Sequence, residues 1–449
     1  IKHDIKKRHK NLTEFRYIAV GFFLTILSGA IMLSLPFSSR DGQWTNFLDS
    51  LFTATSATCV TGLVVFDTFR HWSIIGQLVI LVLIQIGGMG FISIGVAFSM
   101  LLHKKIGLRQ RDLMQESVNA LEIGGIVRLF SVIIRGTFLI EGIGAVLLAI
   151  RFIPDFGILR GIYFSVFHSI SAFCNAGFDL MGINEEYSSF TKYAADPLVN
   201  ITIMLLIIIG GIGFTIWNEV RIKKFKLSRY SLHAKIVIST TLILVFGGGL
   251  FLYIFEKNNT IAGMDTPGAI FASLFGSVTA RTAGFNTVDT AALTQESKLL
   301  TIVLMFIGSP GSTAGGIKTT TMAVMIIYIV SYMRGSNGCN VFGRKISSEV
   351  IKKAGMVLII NLVLGLTAVI AILATSNMKM DDVLFEVYSA ISTVGMTTGI
   401  TRDLNTVGRI IIIIMMYCGR IGSMTFVLSF VHRPDKANIE LPEEKVIIG

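Results

Sequence analysis

The chain has 449 residues, of which 52% are hydrophobic and only 15% are charged, and its mean hydropathy is +0.71. This composition excludes an ordinary soluble globular protein and indicates an all-α membrane protein. The formal net charge of +11 does not indicate a nucleic-acid partner. The basic residues concentrate in short segments between apolar runs, where they set membrane topology.

Apolar runs long enough to cross a bilayer recur along the chain. Three of these runs contain charged residues, namely Glu141, Lys318 and Arg420. Charge inside a membrane is energetically costly, so these residues are candidates for function. The runs predict eight transmembrane helices, at residues 17–35, 74–102, 136–150, 197–218, 236–255, 299–333, 354–378 and 410–431.

Lys and Arg are unevenly distributed between alternate connecting segments. The segments on the same side as the N-terminus hold 25 of these residues, whereas the opposite segments hold 11. The positive-inside rule therefore places both termini in the cytoplasm. The predicted cytoplasmic segments are 1–16, 102–128, 221–235, 334–353 and 432–449.

A five-residue pattern of three residues, a glycine and a large apolar residue occurs four times. Its glycines, Gly62, Gly177, Gly284 and Gly399, are 115, 107 and 115 positions apart, and a fixed period indicates internal repeats. A short apolar segment precedes each glycine, in most cases too short to span a bilayer but suited to a re-entrant half-helix. These segments cover residues 44–58, 156–173, 267–280 and 383–394.

The pattern defines four units of helix, half-helix, loop and helix. Each unit crosses the membrane twice, so all units have the same orientation and are related by an axis along the membrane normal. We therefore predict four parallel repeats, each a helix, pore loop and helix, around a pseudo-four-fold central pore. The units are 17–102, 103–221, 222–335 and 336–431, between a cytoplasmic N-terminus 1–16 and a cytoplasmic C-terminus 432–449.

The loops that follow the half-helices carry the candidate selectivity filter. Glycine permits positive φ, and carbonyl groups around an axis can replace the hydration shell of K⁺. None of the candidates is a carboxylate, which disfavours a divalent-cation or proton-relay site. A set of ordinary tight turns is the alternative. The candidate K⁺-binding residues are Val60, Thr61, Gly62, Asn175, Ala176, Gly177, Thr282, Ala283, Gly284, Thr397, Thr398 and Gly399.

Carboxylates follow each filter glycine by a few residues. They could gather cations at the pore entrance, or they could accept backbone hydrogen bonds that brace the loop, and the sequence leaves both roles open. The residues concerned are Asp67, Asp179, Asp289 and Asp403.

A second glycine motif lies in the helix after each filter loop. The copies at 86–91 and 209–214 have Gly at positions i and i+3, which favours close helix packing. The third copy opens segment 308–321, whose Gly, Pro, Ser and Thr residues cannot form a regular helix at the bilayer centre. We predict that this segment is a gating loop beneath the filter, with a kinked helix as the alternative.

Arg420 occupies the matching position of the fourth unit. Its guanidinium could donate to carbonyls of the gating loop and repel K⁺, or it could have a purely structural role. The gate candidates are Gly308, Ser309, Pro310, Gly311, Ser312, Thr313, Ala314, Gly315, Gly316, Lys318 and Arg420.

The four one-glycine filter loops and the broken third helix resemble the Trk/Ktr/HKT superfamily of K⁺ transport proteins. The resemblance covers residues 17–431 and is greatest to the KtrB group, the membrane subunits of bacterial Ktr systems. It implies K⁺ uptake across a bacterial plasma membrane by a homodimer. It also implies a cytosolic, KtrA-like octameric ring that binds ATP or ADP and controls the gating loop.

The sequence contains no catalytic constellation, nucleotide motif or metal-ligand spacing, so we expect no enzyme activity and no cofactor on this chain. The basic cytoplasmic segments are expected to contact the partner ring or anionic lipid. Some plant members of the superfamily that permeate Na⁺ have Ser in the first filter, so Gly62 favours K⁺. The alternative function is a Na⁺- or H⁺-coupled secondary cation transporter, for which only Glu141 offers a mid-membrane carboxylate.

Overall fold

The structure is a computed structural model that describes residues 2–90, 126–224, 226–311, 313–336, 338–423 and 426–427. Side chains are described for these residues except 2–16, 126 and 227. Several predicted features lie outside the described residues: Ser312 of the gating loop, the adjoining ends of the first two units at 91–125, and the C-terminal segment 432–449.

The described chain is helical apart from one small hairpin. The hairpin pairs strand β1 (Asn340–Val341) with β2 (Arg344–Lys345) in antiparallel register. The α-helices are α1 (Lys2–Ser34), α2 (Phe47–Thr58), α3 (Thr68–His71), α4 (Ile74–Met89), α5 (Ile126–Phe156), α6 (Ile158–Phe173), α7 (Pro197–Gly211), α8 (Phe214–Lys223), α9 (Leu232–Glu256), α10 (Thr266–Thr279), α11 (Gln295–Ile307), α12 (Thr319–Met333), α13 (Ser348–Thr375), α14 (Met380–Ile391) and α15 (Thr406–Ile421).

Four helices of the described chain are long and apolar enough to cross a membrane, judged by length and composition. They are α1, α5, α9 and α13, which are the first helices of the four predicted units. Helices α7 and α8 would add a fifth span if they are counted together, but they are bent by 96° at the break between them. The eight-span topology therefore remains a prediction.

Helix α4 ends at Met89, and the second helices of the other three units are interrupted. The runs 197–218 and 410–431 are therefore not continuous helices as predicted, whereas the break within 299–333 agrees with the non-helical segment predicted there. Each interruption coincides with a glycine in the left-handed region: Gly90 (φ 83°), Gly213 (φ 112°), Gly308 (φ 60°) and Gly422 (φ 95°). A helix cannot continue through such a residue, whereas glycine adopts this φ without steric cost. The same glycine motif that indicated packing thus also ends or breaks the helix.

The packing role predicted for the first two copies of the motif is confirmed, and the fourth copy packs in the same way. A Cβ on Gly87, Gly210 or Gly419 would collide with a carbonyl oxygen at the end of the preceding short helix, namely that of Thr58, Phe173 or Ile391. The absence of a side chain therefore lets the second helix of a unit lie directly against its half-helix.

The four predicted half-helices are present as α2, α6, α10 and α14, and they form the buried centre of the fold. Nine of the 12 residues of α2 are buried, for example. Capping residues set where two of them begin: the Asn46 side chain accepts from the amide of Leu48, and Asp265 accepts from Gly268. Such caps satisfy amides that have no partner within the helix.

Polar contacts join neighbouring units around the centre. The amide of Tyr187 donates to Asp67 at 2.9 Å, which joins the second unit to the first. The amide of Phe190 donates to the carbonyl of Asn286 at 2.9 Å, which joins the second unit to the third.

The fourth unit is joined to both of its neighbours. Lys298 of the third unit pairs with Asp382 at 3.8 Å, and Arg409 pairs with Asp49 of the first. The four units consequently close into a circle.

The close approach of α7 to the end of α6 predicts a stability effect. Gly210→Ala should lower the free energy of unfolding by ~1–3 kcal/mol, because the added methyl overlaps the Phe173 carbonyl. Gly247→Ala is the matched control, since no atom lies within 4 Å of a Cβ built there and alanine favours the helix. Thermal unfolding in detergent would compare the two, and equal transition temperatures would refute the packing argument.

Candidate functional site

Four glycines, one from the loop after each half-helix, form a closed ring. A Cβ on Gly62 would lie 2.6 Å from the carbonyl oxygen of Ala176, and one on Gly177 would lie 2.7 Å from that of Ala283. The contact continues from Gly284 to the carbonyl of Val394 at 2.5 Å, and from Gly395 back to the carbonyl of Thr61. We call residues 60–62, 175–177, 282–284 and 393–395 the ring loops.

The ring loops share one backbone conformation. Their first residues have positive φ although none is glycine: Val60 51°, Asn175 57°, Thr282 78° and Thr393 51°. The glycine two positions later is again at positive φ, between 71° and 97° in the four loops. This conformation is unfavourable for residues other than glycine, and its repetition in four loops indicates a functional constraint.

Hydrogen bonds to the half-helix satisfy the loop amides. In the first unit, the amide of Thr61 donates to the carbonyl of Ser56 at 2.8 Å, and that of Gly62 donates to the Ser56 hydroxyl at 3.0 Å. In the fourth unit, Val394 and Gly395 donate in the same way to the carbonyl and hydroxyl of Ser389. In these two loops the amides of the last two residues are thereby occupied, and their carbonyl groups remain available at the ring.

The prediction that Gly399 is the fourth filter glycine is wrong. Gly395 closes the ring, whereas a Cβ on Gly399 would meet only the side chain of Arg402. Thr397 also lies outside the ring loops: its hydroxyl donates to the buried Glu386 at 2.6 Å and accepts from the amide of Gly399 at 3.0 Å. These residues, together with Thr398, belong to the segment after the ring.

The sequence contained a signal for Gly395 that the even period obscured. Residues 392–396 also read as three residues, a glycine and a large apolar residue. In addition, Gly395 lies four residues after its half-helix, as Gly62 and Gly177 do after theirs. The other nine predicted filter residues, from Val60 to Gly284, all lie in the ring loops.

The predicted gating segment is non-helical between α11 and α12 at its described residues, 308–311 and 313–318. The three threonines 319–321 begin α12, so the predicted segment 308–321 was three residues too long. The loop contacts neighbouring units through its backbone: the amide of Gly311 donates to the carbonyl of Gly211 at 3.1 Å, and that of Gly316 to the carbonyl of Gly419 at 3.0 Å.

Two side chains of the loop strengthen this arrangement. The hydroxyl of Ser309 donates to the carbonyl of Arg281, directly before the third ring loop, at 2.6 Å. Lys318 donates to the carbonyl of Ala314 at 2.8 Å and so closes the loop on itself. These contacts contradict the kinked-helix alternative, since the segment is held by other units rather than by helical hydrogen bonds.

Arg420 donates to the gating loop, as the sequence predicted. One terminal nitrogen of its guanidinium hydrogen-bonds to the carbonyl of Thr313. The other donates to the carbonyls of Gly87 and Gly88 at the end of α4, a contact that the sequence did not reveal. Arg420 therefore connects the gating loop with the first and fourth units.

Three of the carboxylates beyond the ring accept hydrogen bonds from backbone amides, namely Asp67, Asp179 and Asp289. Asp67 caps α3 by accepting from the amides of Phe69 and Arg70 at 2.9 Å, and its second oxygen accepts from Tyr187. The bracing role considered for this residue is therefore present. Burial and the nearby charge of Asp67 raise the pKa of Asp179 to about 7, so its negative charge is partly neutralised near neutral pH.

Glu141 accepts a hydrogen bond across helices. The amide of Gln85 in α4 donates to its two oxygens at 3.1 and 3.3 Å. The Cys174 sulfur, one residue before the second ring loop, lies 4.0 Å from the same carboxyl group. Within the described ranges, no cluster of three or more His, Cys, Asp or Glu could hold a metal ion.

Comparison with known proteins identifies relatives over almost the whole chain. The TrkH family, described as cation transport protein, matches residues 6–441. The chain is 41% identical to Ktr system potassium uptake protein B of Bacillus subtilis, over 96% of both chains. It is 38% identical to potassium/sodium uptake protein NtpJ of Enterococcus hirae, over 99% of both chains. The solved structure of the potassium transporter TrkH from Vibrio parahaemolyticus has a similar fold, with a TM-score of 0.73, 17% identity, and coverage of 93% of this chain and 84% of that chain.

The contacts of Arg420 predict that its removal loosens the 308–318 loop. A cysteine in place of Gly311 should be tolerated, because no atom lies within 4 Å of a Cβ there, and the four native cysteines are buried. Arg420→Ala should increase the labelling rate of that cysteine by a polar maleimide several-fold. Arg409→Ala, which removes an arginine from the same helix, is the control. Equal labelling rates in both backgrounds would contradict the prediction.

Proposed function

The chain belongs to the TrkH family of cation transport proteins, and we propose that it is the channel-like pore subunit of a Ktr-type K⁺ uptake system. The observation that carries this proposal is the closed ring of four glycine-containing loops. Non-helical backbone is tolerated at membrane depth only if protein buries it or it lines a water-filled path. A ring of carbonyl groups around such a path is suited to a dehydrated monovalent cation.

The composition of the ring loops supports selection of K⁺. None of the 12 residues is Asp or Glu, so binding depends on neutral dipoles, which suit a weakly hydrated cation better than a divalent one. The relatives carry the names potassium uptake protein and potassium/sodium uptake protein, so selectivity between these two ions is the property to measure.

The 308–318 loop is proposed as the gate. Its contacts with the second and fourth units support this role, because they include Asn175 and Thr393, the first residues of two ring loops. A K⁺ ion that leaves the ring past these residues would meet this loop and the guanidinium of Arg420. At ~4 Å and an effective dielectric constant of ~20, two like charges repel by ~4 kcal/mol. This repulsion would add to the steric block.

Assembly and regulation follow from the family relationship. We propose a homodimer in a bacterial plasma membrane, with both termini cytoplasmic and with lipid around the exposed apolar helices. A cytosolic, KtrA-like octameric ring with bound ATP or ADP would control the 308–318 loop. The hairpin β1–β2 and the basic residues beside it lie in segment 334–353, on the side predicted to face that partner.

The coupled secondary transporter, considered as the alternative, has less support. Its only candidate carboxylate, Glu141, lies behind Cys174 and is hydrogen-bonded to Gln85. It therefore lies outside the ring loops, whereas a coupling residue would be expected beside the transported ion.

The filter proposal predicts different effects for two glycines of the fourth unit. Gly395→Ser should abolish the preference for K⁺ over Na⁺, because its Cβ would displace the carbonyl of Thr61 from the ring. Gly62→Ser and Gly284→Ser should act in the same direction. Gly399→Ser is the matched control, with a similar positive φ but no ring contact, and should retain selectivity. Fluxes of K⁺, Rb⁺ and Na⁺ into proteoliposomes measure the ratios, and unchanged ratios in all ring variants would rule out the filter.

The gate proposal predicts that variants with an impaired loop conduct K⁺ faster than the parent. Deletion of residues 311–316, or Arg420→Ala, should raise K⁺ flux and make it less dependent on the cytosolic partner and its nucleotide. Flux is measured with and without the partner, at equal amounts of correctly assembled protein. If both variants assemble but conduct no faster than the parent, the loop is not the gate.

A further inference from the structure

The first residues of the ring loops differ in their relation to the gating loop. These residues are Val60, Asn175, Thr282 and Thr393, and all four are fully buried. Asn175 and Thr393 contact the 308–318 loop through their side chains. The side chain of Thr282 accepts a hydrogen bond from a neighbouring ring loop, and Val60 has no side-chain group that can form a hydrogen bond. The first residues of the four ring loops therefore do not interact with the 308–318 loop in the same way.

Thr393 makes the stronger of the two contacts. Its hydroxyl accepts from the amide of Gly315 at 3.1 Å. A Cβ on Gly315 would collide with the Thr393 side chain, so the loop can approach this far only because residue 315 is glycine. Next to it, a Cβ on Gly316 would lie 2.7 Å from the Cα of Ser392. Two successive glycines of the gating loop thus fit directly against the fourth ring loop.

Asn175 adds a weaker contact on the opposite side. Its amide nitrogen donates to the hydroxyl of Thr282 at 3.1 Å, which joins the second and third ring loops. Its amide oxygen lies 3.5 Å from the hydroxyl of Thr313, which is longer than a normal hydrogen bond between two oxygens. The 308–318 loop is therefore bonded to one ring-loop side chain, that of Thr393, as well as to backbone groups of other units.

We propose that the hydroxyl of Thr393 is a latch that holds the 308–318 loop against the filter in the closed state. The proposal rests on the proposed function and names the residue through which filter and gate are coupled. When the loop leaves, the buried amide of Gly315 loses its partner, and a buried amide without a partner is unfavourable. Opening therefore requires that this bond break or be replaced by water. Thr393 acts through the loop and is a positioning residue in this respect.

The first unit supplies the substitution for a test. Val60 occupies the place in its ring loop that Thr393 occupies in the fourth, with the same φ of 51°, so a ring loop accommodates valine there. Thr393→Val removes the hydroxyl and keeps the β-branched shape. We expect it to raise partner-independent K⁺ flux several-fold relative to the parent. Labelling of a cysteine at position 311 should accelerate in parallel.

Two variants separate the hydroxyl from other effects. Thr393→Ser keeps the acceptor and should restore the low partner-independent flux. Thr398→Val deletes a hydroxyl five residues further on that is buried without a hydrogen-bond partner among the described residues, and it should behave as the parent.

The outcomes distinguish the latch from the gate itself. If Thr393→Val conducts and labels as the parent while Arg420→Ala raises both, the latch is overturned and the gate stands. If neither variant raises flux, the proposed gate fails together with the latch.

Discussion

At each ring glycine, the carbonyl oxygen of the next ring loop lies in the space that a side chain would occupy. This steric constraint brings four backbones together, and the rest of the fold maintains it. The half-helices are packed from behind by second helices that have glycine at the point of contact, so the close approach at the centre is repeated one layer further out. Contacts such as Arg409 with Asp49 then close the circle of units.

The second constraint is that polar backbone groups need partners wherever a helix ends inside the fold. Helix α4 ends at Met89, and the carbonyls of Gly87 and Gly88 accept hydrogen bonds from the guanidinium of Arg420. The same guanidinium donates to the carbonyl of Thr313 in the 308–318 loop. A cation near carbonyl groups at a helix C-terminus is electrostatically favourable, which explains how a charged residue is retained at this depth. One side chain thereby satisfies two interrupted segments and connects them.

The 308–318 loop and the ring loops are close enough for one to influence the other. Gly315 and Gly316 lie against residues 392 and 393, and Ser309 bonds to the residue before the third ring loop. The glycines of the 308–318 loop thus allow close contact with other units and also break the helix. A loop with bulkier residues at these positions could not lie against the ring.

The sequence predicted the class of protein, the four half-helices, nine of the 12 ring residues and the bond between Arg420 and the loop. These features depend on composition, on repeated local patterns and on the cost of a charge within an apolar run, all of which are properties of short segments. The wrong predictions concern which segments lie close together in space. Gly399 fitted the period and the local pattern as well as Gly395 did, and only its separation from the other three glycines excludes it.

The tertiary structure likewise decided where the second helices end. Gly90, Gly213 and Gly422 lie in apolar runs that by composition alone could continue as helix, and a glycine in such a run is compatible with either helical or left-handed φ. The choice depends on what the following residues contact, because a helix ends where non-local partners replace its own hydrogen bonds. Local patterns thus determined which segments become helices and which carry the filter chemistry. The ring, the partners of Arg420 and the contact of Thr393 with Gly315 join residues far apart in the sequence, such as Gly395 and Thr61, and only the folded chain brings them together.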